Sequence, residues 1–270
     1  MTKKYEILYN EEKKENSILK KKINYLEAKN NTLINKKNKG ERDEVLLLIE
    51  LFHLNETGQF DKLIVIFGEE ASDGISILNM DTDDEIVDIN NLSKAGACYK
   101  ADCKIKMKKT SNIYTPSIKS KNGANPALLN HTPRSAAVFQ KNGILNAVII
   151  YIDKIITEYK YKRKNKIIQE DTSINNLECL NDNKLKEIFI NVLRYFVFDG
   201  SGKGYSKCRA NSIIEYENGE INFIKCDNLE KQRAYIISIY NRIVLSLRSK
   251  GMPNPKRKIK CEYCEPWIFK

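Results

Sequence analysis

Histidine is nearly absent, because the 270-residue chain contains only His53 and His131. A nuclease centre built on several histidines is therefore disfavoured, and His53 lies in an apolar stretch that reads as helical. The chain also lacks any run near the ~20 apolar residues that a membrane-spanning helix needs. Its first residues contain no apolar core of a signal peptide. We therefore expect no membrane association.

Cysteine is sparse and odd in number, with seven residues scattered along the chain. This usage favours reduced thiols in a cytoplasmic, intracellular protein over a disulfide framework. Cys261 and Cys264 form one CxxC motif, and there is no second. A zinc site needs further ligands at suitable spacing, so unligated thiols are the simpler interpretation.

Positive charge is what the chain has in excess. Lysine and arginine number 46 against 35 acidic residues, which gives a formal net charge of +11. Such a balance favours a polyanionic partner, most simply nucleic acid. The alternative is a lysine-rich composition that reflects an AT-rich genome, since Lys, Asn and Ile are all abundant.

Residues 1–40 are predicted to form a helical arm. Apolar and polar residues alternate along one seam with heptad spacing, as in a short coiled coil whose polar members fix the register. Two interpretations stay open: a helix that pairs two chains into a homodimer, and a helix that folds back on its own domain. The seam residues are Asn16, Leu19, Ile23, Leu26, Asn30 and Leu33.

Residues 41–270 are predicted to form one domain of the α/β (α+β) class, a mixed central β-sheet flanked by helices. Hydrophobic periodicity and turn residues divide it into elements. The expected helices are 41–55, 144–163, 184–198 and 229–251. The expected strands are 62–68, 74–80 and 85–90, together with hairpins at 100–120 and 211–226.

The hairpin at 100–120 carries the residues that suggest chemistry. Its first strand alternates apolar and polar residues, which places Asp102 on the solvated face. On the second strand, Ser117 and Lys119 are two residues apart and share a face, with Ile118 turned into the core. Pairing of the two strands would place Asp102 beside Ser117 and Lys119. A carboxylate and a lysine so placed suit Mg²⁺-assisted phosphodiester hydrolysis.

At these residues the sequence resembles the PD-(D/E)xK nuclease superfamily, in particular type II restriction endonucleases. The resemblance covers about residues 42–170 and rests on "KAD" and "PSIKSK". It implies a restriction-endonuclease-like core and Mg²⁺-dependent, sequence-specific cleavage of double-stranded DNA. It assigns Asp102 to the metal, Lys119 to catalysis, and Ser117 to positioning water or metal. The chain departs from the family at Ser117, where an acidic residue is commoner.

A further acidic ligand is therefore expected from an earlier helix or strand, as in relatives of that superfamily. Four acidic residues are candidates for this ligand, and the sequence alone does not distinguish among them. We assign Glu50 and Glu70 to the metal. The other two candidates are Glu56 and Glu69.

Two irregular segments are expected to contact DNA through phosphates or base edges. The first, at 121–134, supplies Lys121, Asn122, Asn125, Asn130, His131, Thr132 and Arg134. The second, at 198–212, supplies Lys203, Lys207 and Arg209. Alternative roles are a helix cap at Thr132 and a plain flexible loop at 198–212. A non-catalytic nucleic-acid-binding protein and an RNA-processing nuclease remain the competing functions.

Overall fold

The computed structural model describes residues 3–35, 38–96, 98–122, 127–131, 146–169, 172–201, 204–217, 219–247 and 267–269. Helices and short strands mix along these ranges, so the α+β class is confirmed. None of the helices in these ranges is long and apolar enough to cross a membrane.

The described helices are α1 (Lys3–Asn35), α2 (Lys39–Glu56), α3 (Phe60–Phe67), α4 (Asn146–Lys164), α5 (Asn183–Arg194) and α6 (Leu229–Tyr240). The strands are β1 (Ile75–Leu78), β2 (Lys104–Met107), β3 (Ile113–Tyr114), β4 (Pro116–Ser120), β5 (Leu129–His131), β6 (Gly200–Ser201), β7 (Gly204–Tyr205), β8 (Ser212–Glu217), β9 (Glu220–Lys225), β10 (Leu245–Leu247) and β11 (Trp267–Phe269).

The chain forms two compact units. Unit 1 consists of Met1–Gly96, Asp102–Gly123 and Ile213–Ile224. Unit 2 consists of Ala97–Ala101, Ala124–Ser212 and Lys225–Lys270. The predicted arm therefore belongs to the same unit as the hairpin that carries Asp102.

Helix α1 packs along α2 through one face. Ala28 and Thr32 are buried there, and the ring of Tyr25 stacks on His53 with centroids 4.1 Å apart. The arm therefore folds back on its own unit, and His53 is a packing residue of α2. The leucines of the predicted seam lie on another face of α1 and are exposed.

The run at 62–68 was expected as a strand, and the structure corrects this to helix α3. Phe60, Leu63 and Phe67 recur at helical spacing and turn inward, while Val65 is exposed. Gly68 follows the helix with φ at 82°, a conformation that favours glycine and stops the helix. The β-branched residues at the centre of this run favour a strand. A helix of eight residues spans only about two turns, so its hydrophobic periodicity is too short to distinguish it from a strand.

Unit 1 contains two small sheets in place of one central sheet. In the first, β2 lies between β1 and β3, all antiparallel, with Ile105 opposite Ile77 and Tyr114. In the second, β8 lies between β4 and β9. Thr115 separates β3 from β4, so the expected second strand of the hairpin is divided between the sheets. The hairpin expected at 211–226 is present as β8 and β9.

The strand expected at 85–90 is also corrected. Only Glu85 forms an isolated bridge, with Leu78, and the chain then enters a 3-10 turn, Ile89–Asn91. Asp88 caps this turn by accepting the backbone N–H of Asn90 at 2.9 Å. Local capping therefore competes with strand pairing here.

Unit 2 contains α4, α5 and α6, a three-stranded sheet in the order β10-β11-β5, and the two-stranded β6–β7 ribbon. The helix expected at 229–251 ends at Tyr240, which is a further correction. Ile243 accepts the backbone N–H of Ile174 at 2.9 Å, and Val244 forms an isolated β-bridge with Ser173. Because these backbone groups pair with a distant segment, the helix does not continue past Tyr240. The segment at 121–134, expected to be irregular, contains strand β5.

Candidate active site

Asp102 lies two residues before β2, and β4 fixes its side chain. Its backbone N–H donates to the carbonyl oxygen of Pro116 at 2.8 Å. Its carboxylate Oδ2 accepts the backbone N–H of Ile118 at 2.6 Å and the hydroxyl of Ser117 at 3.3 Å. Two donors from β4 therefore hold one carboxylate oxygen in place.

Lys119 joins the same group through Ser117. The Nζ atom of Lys119 donates to Ser117 Oγ at 2.9 Å, while that hydroxyl faces Asp102. Ser117 is 2% exposed and Lys119 is half-buried, so the lysine charge lies at the edge of the protein interior. Ile118 belongs to the core of unit 1. The structure thus brings together Asp102, Ser117 and Lys119, although in the described residues β4 pairs with β8 and not with the strand that follows Asp102.

The period-2 pattern of the first strand accounts for the orientation of Asp102. Ala101, Cys103, Ile105 and Met107 are all buried, at 3% exposure or less. Alternate residues must then face the other way, which leaves Asp102 half-buried on the face toward Ser117.

The second acid of this site is Glu44, on α2, which the sequence candidates did not include. Its Oε2 atom is buried and accepts no hydrogen bond from the described residues. Burial raises the pKa of Glu44 to about 7, and the Asp102 carboxylate raises it as well, while Lys94 and Lys119 lower it. These influences place the Glu44 carboxyl in the field of both Asp102 and Lys119.

A sequence signal for Glu44 exists, although it is weak. Leu47, Leu48 and Leu51 follow Glu44 at the spacing of one helix face and are buried. An acidic residue on the apolar stripe of an amphipathic helix is an exception that calls for a function or a partner. That signal becomes visible only when the stripe is assigned to the core.

A lysine–glutamate pair lies beside this group. Lys94 Nζ donates to Glu41 Oε1 at 2.7 Å. Burial lowers the pKa of Lys94, but the hydrogen bond to Glu41 and the charges of Glu44, Glu41 and Asp102 outweigh it and raise the pKa above its ordinary value. Lys94 therefore brings a positive charge near three carboxylates.

Asp43, next to Glu44, holds α2 to the end of β4. It is 3% exposed and accepts hydrogen bonds from Ser120 Oγ and, at 3.2 Å, from Asn122 Nδ2. These bonds fix the register between the helix that carries Glu44 and the strand that carries Lys119. Asn122, expected to contact DNA, thus has a partner inside the protein.

The acids assigned to the metal from sequence lie in other environments. Glu50 Oε2 accepts the hydroxyl of Tyr25 at 2.6 Å. It follows Glu44 by six residues, about 240° around the helix at 3.6 residues per turn. Glu70 accepts the hydroxyl of Tyr114 at 3.0 Å and Asn112 Nδ2 at 2.7 Å. No described hydrogen bond links either acid to Asp102 or Lys119.

The two remaining acidic candidates form ion pairs on the surface. Glu56 lies 3.5 Å from Lys21 Nζ, and Glu69 lies 4.0 Å from Lys109 Nζ. Exposed pairs of this kind contribute ~0–1 kcal/mol to stability. Neither acid has a described bond to the group around Asp102.

The residues expected to contact DNA are distributed over both units. Lys121 pairs with Glu215 at 2.6 Å in unit 1. In unit 2, Lys207 is exposed and the Arg209 guanidinium lies 4.7 Å from the ring centroid of Tyr205. Asn130 and His131 belong to β5. Four residues lie outside the described ranges: Asn125, Thr132, Arg134 and Lys203.

The donor set at this site fits a divalent cation bound by two carboxylates. Within the described ranges, no group of three or more His, Cys, Asp or Glu side chains is placed to hold a metal. Mg²⁺, however, commonly takes only one or two protein carboxylates and fills its other positions with water and substrate phosphate. The buried Oε2 of Glu44, which accepts no hydrogen bond from the described residues, lies in the field of Asp102 and is an acceptor for a cation or a proton.

Glu44→Gln is expected to raise the free energy of unfolding by about 2 kcal/mol at pH 8 and to change it little at pH 4. The pKa of Glu44 rises from 4.5 to about 7 on folding. Between these pH values the folded state holds the extra proton, so stability falls as the pH rises and the charge of Glu44 becomes buried. Urea unfolding in the presence of EDTA at both pH values measures the difference. An equal effect at both would contradict the assigned burial.

No family model, curated protein sequence or solved structure matches this chain.

Proposed function

We propose that this protein is a Mg²⁺-dependent endonuclease that hydrolyses phosphodiester bonds of double-stranded DNA. One observation carries the proposal: Asp102, Ser117 and Lys119 form a hydrogen-bonded group, and a carboxylate oxygen of Glu44 that accepts no hydrogen bond from the described part of the chain lies in the field of its charges. Two acids and a lysine at one place meet the needs of phosphate hydrolysis. The resemblance of these residues to type II restriction endonucleases extends the proposal to sequence-specific cleavage.

Asp102 and Glu44 are the residues that would hold the metal. When bound, Mg²⁺ lowers the pKa of a coordinated water and neutralises charge on the phosphate. The backbone N–H of Ile118 and the hydroxyl of Ser117 hold one oxygen of Asp102, which orients the carboxylate before any ligand arrives. Such support from a second layer of donors is typical of metal-binding carboxylates.

Lys119 supplies a fixed positive charge. Ser117 accepts a hydrogen bond from Lys119 Nζ, so one hydroxyl connects the lysine to the carboxylate of Asp102. In phosphodiester hydrolysis, water attacks phosphorus in line as the opposite P–O bond breaks, and negative charge grows on the phosphoryl oxygens. A lysine held in advance stabilises that charge without reorganisation, or polarises the attacking water.

The net charge of +11 supports a nucleic-acid substrate. Lysine and arginine side chains that neutralise phosphates supply most of the affinity of such proteins for DNA. Lys207 and the Arg209–Tyr205 pair offer an exposed cation and a cation stacked on an aromatic ring. Both kinds of group bind phosphates or unpaired bases.

A plasmid digest tests the proposal. The wild-type protein is expected to cut plasmid DNA with Mg²⁺ present and to stop when EDTA is added. Asp102→Ala removes the acid that β4 positions, so the digest should lose its metal-dependent cleavage. Sequencing the ends of the fragments then reports whether cutting occurs at one sequence.

The controls separate this proposal from its competitors. Lys108→Ala removes an exposed lysine just after β2 and should leave cleavage intact. Binding of DNA without any cleavage, across several divalent metals, would favour the non-catalytic nucleic-acid-binding protein. Cleavage of RNA in preference to duplex DNA would favour the RNA-processing nuclease. Cleavage that Asp102→Ala leaves unchanged would reject the assigned centre.

A further inference from the structure

Helix α1 has two different faces, of which α2 covers only one. The covered face carries Tyr25, Ala28 and Thr32. Another face carries a row of large apolar side chains in contact with solvent. Their exposed fractions are 56% for Leu19, 46% for Ile23, 52% for Leu26 and 45% for Leu33.

These exposed residues form a regular seam, defined here as Asn16, Leu19, Ile23, Leu26, Asn30 and Leu33. The spacing alternates three and four residues, which is the a/d pattern of a two-stranded coiled coil. Leucine fills every d position. Asparagine fills two of the three a positions, where a buried amide specifies register and two strands. A face that served only to keep the helix soluble would not need leucine at every seventh residue.

The charges beside the seam complement a second copy of the same helix. In a parallel pair, a residue at position g lies beside the residue at position e five places further along the partner chain. Glu15 then meets Lys20, and Lys22 meets Glu27. Each contact occurs twice by symmetry, and all four side chains are exposed in the single chain. Every one of these contacts joins opposite charges.

We propose that the seam of α1 binds the seam of a second copy of this chain, in parallel and in register. The helix already forms against α2, so association does not bear the cost of ordering it, which limits short isolated helices. The packing of α1 within unit 1 need not rearrange, because the covered face and the seam are different faces of α1. The proposal does not depend on the nuclease activity.

The mass of the full-length chain in solution is the first test. Sedimentation equilibrium from about 1 to 200 µM is expected to give a concentration-dependent rise from one chain to two, as a short coiled coil of moderate affinity requires. Leu26→Glu places two acids opposite each other in the seam and should hold the mass at one chain. Its circular dichroism should stay that of the wild type, since Leu26 is half exposed in the single chain.

A charge exchange tests the direction of the pair. Lys22→Glu alone places an acid opposite Glu27, and Glu27→Lys alone places a lysine opposite Lys22, so each variant should dimerise at least tenfold more weakly. In the parallel heterodimer of the two variants, the two substituted positions face each other with opposite charges, and the second contact keeps the wild-type pair of Lys22 and Glu27. Such a mixture should therefore form more dimer than either variant alone. The weakening by each single variant is the result that depends on direction, because in an antiparallel pair g positions face g positions and e positions face e positions, so Lys22 would not face Glu27.

Two results would overturn the proposal. One is a wild-type protein of single-chain mass over the whole concentration range. The other is a dimer that Leu26→Glu leaves intact or that the mixed charge variants do not restore, because the contact would then lie elsewhere. Loss of DNA cleavage by any of these variants bears on neither result, since the measured quantity is mass.

Discussion

Glu44→Gln is expected to lower Mg²⁺-dependent DNA cleavage by about 10²- to 10⁴-fold, because a neutral amide oxygen is a weaker ligand than a carboxylate for a divalent cation shared with Asp102. Glu50→Gln provides the matched control on the same helix. Glu50 is bonded to Tyr25, and no described bond connects it to Asp102, so its amide variant should cleave at close to the wild-type rate. Rates are compared on one plasmid at saturating Mg²⁺.

Metal binding gives a second readout for Glu44 that does not depend on turnover. With a pKa of about 7, Glu44 is largely protonated at pH 6, and Mg²⁺ must displace that proton. The apparent affinity for Mg²⁺ should therefore rise up to tenfold per pH unit below about 7 and level off above it. Glu44→Gln should bind weakly and lose this pH dependence. Calorimetric titration at pH 6, 7 and 8 measures both.

The stability of the Glu44→Gln variant distinguishes a metal-binding role of Glu44 from a purely structural one. Replacing a residue that serves only the fold lowers the stability of the protein. Glu44→Gln should instead raise the stability of the protein at pH 8 and lower its activity. That combination is expected where a buried charge is kept for its chemistry. A variant that loses both activity and stability at pH 8 would instead make Glu44 a structural residue, and the metal would need another ligand.

The core of this site follows from local sequence rules. Ser117 and Lys119 share a face because side chains alternate along a strand. Asp102 lies two residues before β2, where the alternation of the buried residues 101, 103, 105 and 107 turns its side chain away from the core. Periodicity alone therefore predicts that Ser117 and Lys119 share a face, whereas the approach of Asp102 to β4 also depends on its bonds to Pro116 and Ile118.

The position of Glu44 near Asp102 depends on tertiary structure, which no local sequence rule predicts. Its proximity to Asp102 requires α2 to lie across β4, and the bonds from Asp43 to Ser120 and Asn122 fix that placement. Those contacts join residues more than seventy positions apart. The candidates drawn from the sequence were Glu50, Glu56, Glu69 and Glu70, and Glu44 was not among them, because its position becomes informative only once α2 is packed against β4.

The predictions of two elements, the strand at 62–68 and the long helix from Leu229, were wrong for related reasons. Residues 62–68 combine β-branched composition with helical spacing over only two turns, so composition and period disagree. The helix from Leu229 ends at Tyr240 because Ile243 and Val244 pair with a distant segment, which local propensity cannot anticipate. Of the two alternatives for the arm, folding back describes the face of α1 that packs on α2, while pairing of the exposed seam stays a prediction.

Lys119→Ala is expected to lower the cleavage rate by about 10²- to 10³-fold, the usual cost of removing a positioned group that stabilises transition-state charge. Its affinity for uncut DNA, measured in Ca²⁺, should fall by much less. One lysine among many changes the salt dependence of binding by a slope of about one at most. The effect of Lys119→Ala should therefore appear in the rate at which bound DNA is cleaved.

Lys108→Ala is the matched control for charge. Lys108 is exposed and pairs loosely with Glu85 at 3.8 Å, so its removal subtracts the same charge without touching the group around Asp102. If Lys119 acts only as one of many phosphate contacts, both variants should weaken binding alike and cleave bound DNA at the same rate. A larger rate loss in Lys119→Ala, at equal occupancy, separates catalysis from binding.

Lys119→Arg and Ser117→Ala divide the role of the lysine into charge and position. The arginine variant keeps the charge, but its planar guanidinium presents donors in a different geometry, so it should recover part of the rate. Ser117→Ala keeps the lysine and removes the hydroxyl that holds Nζ at 2.9 Å. If fixed placement matters, this variant should lose rate with little change in DNA affinity. A wild-type rate in Ser117→Ala would mean that Lys119 acts through its charge alone.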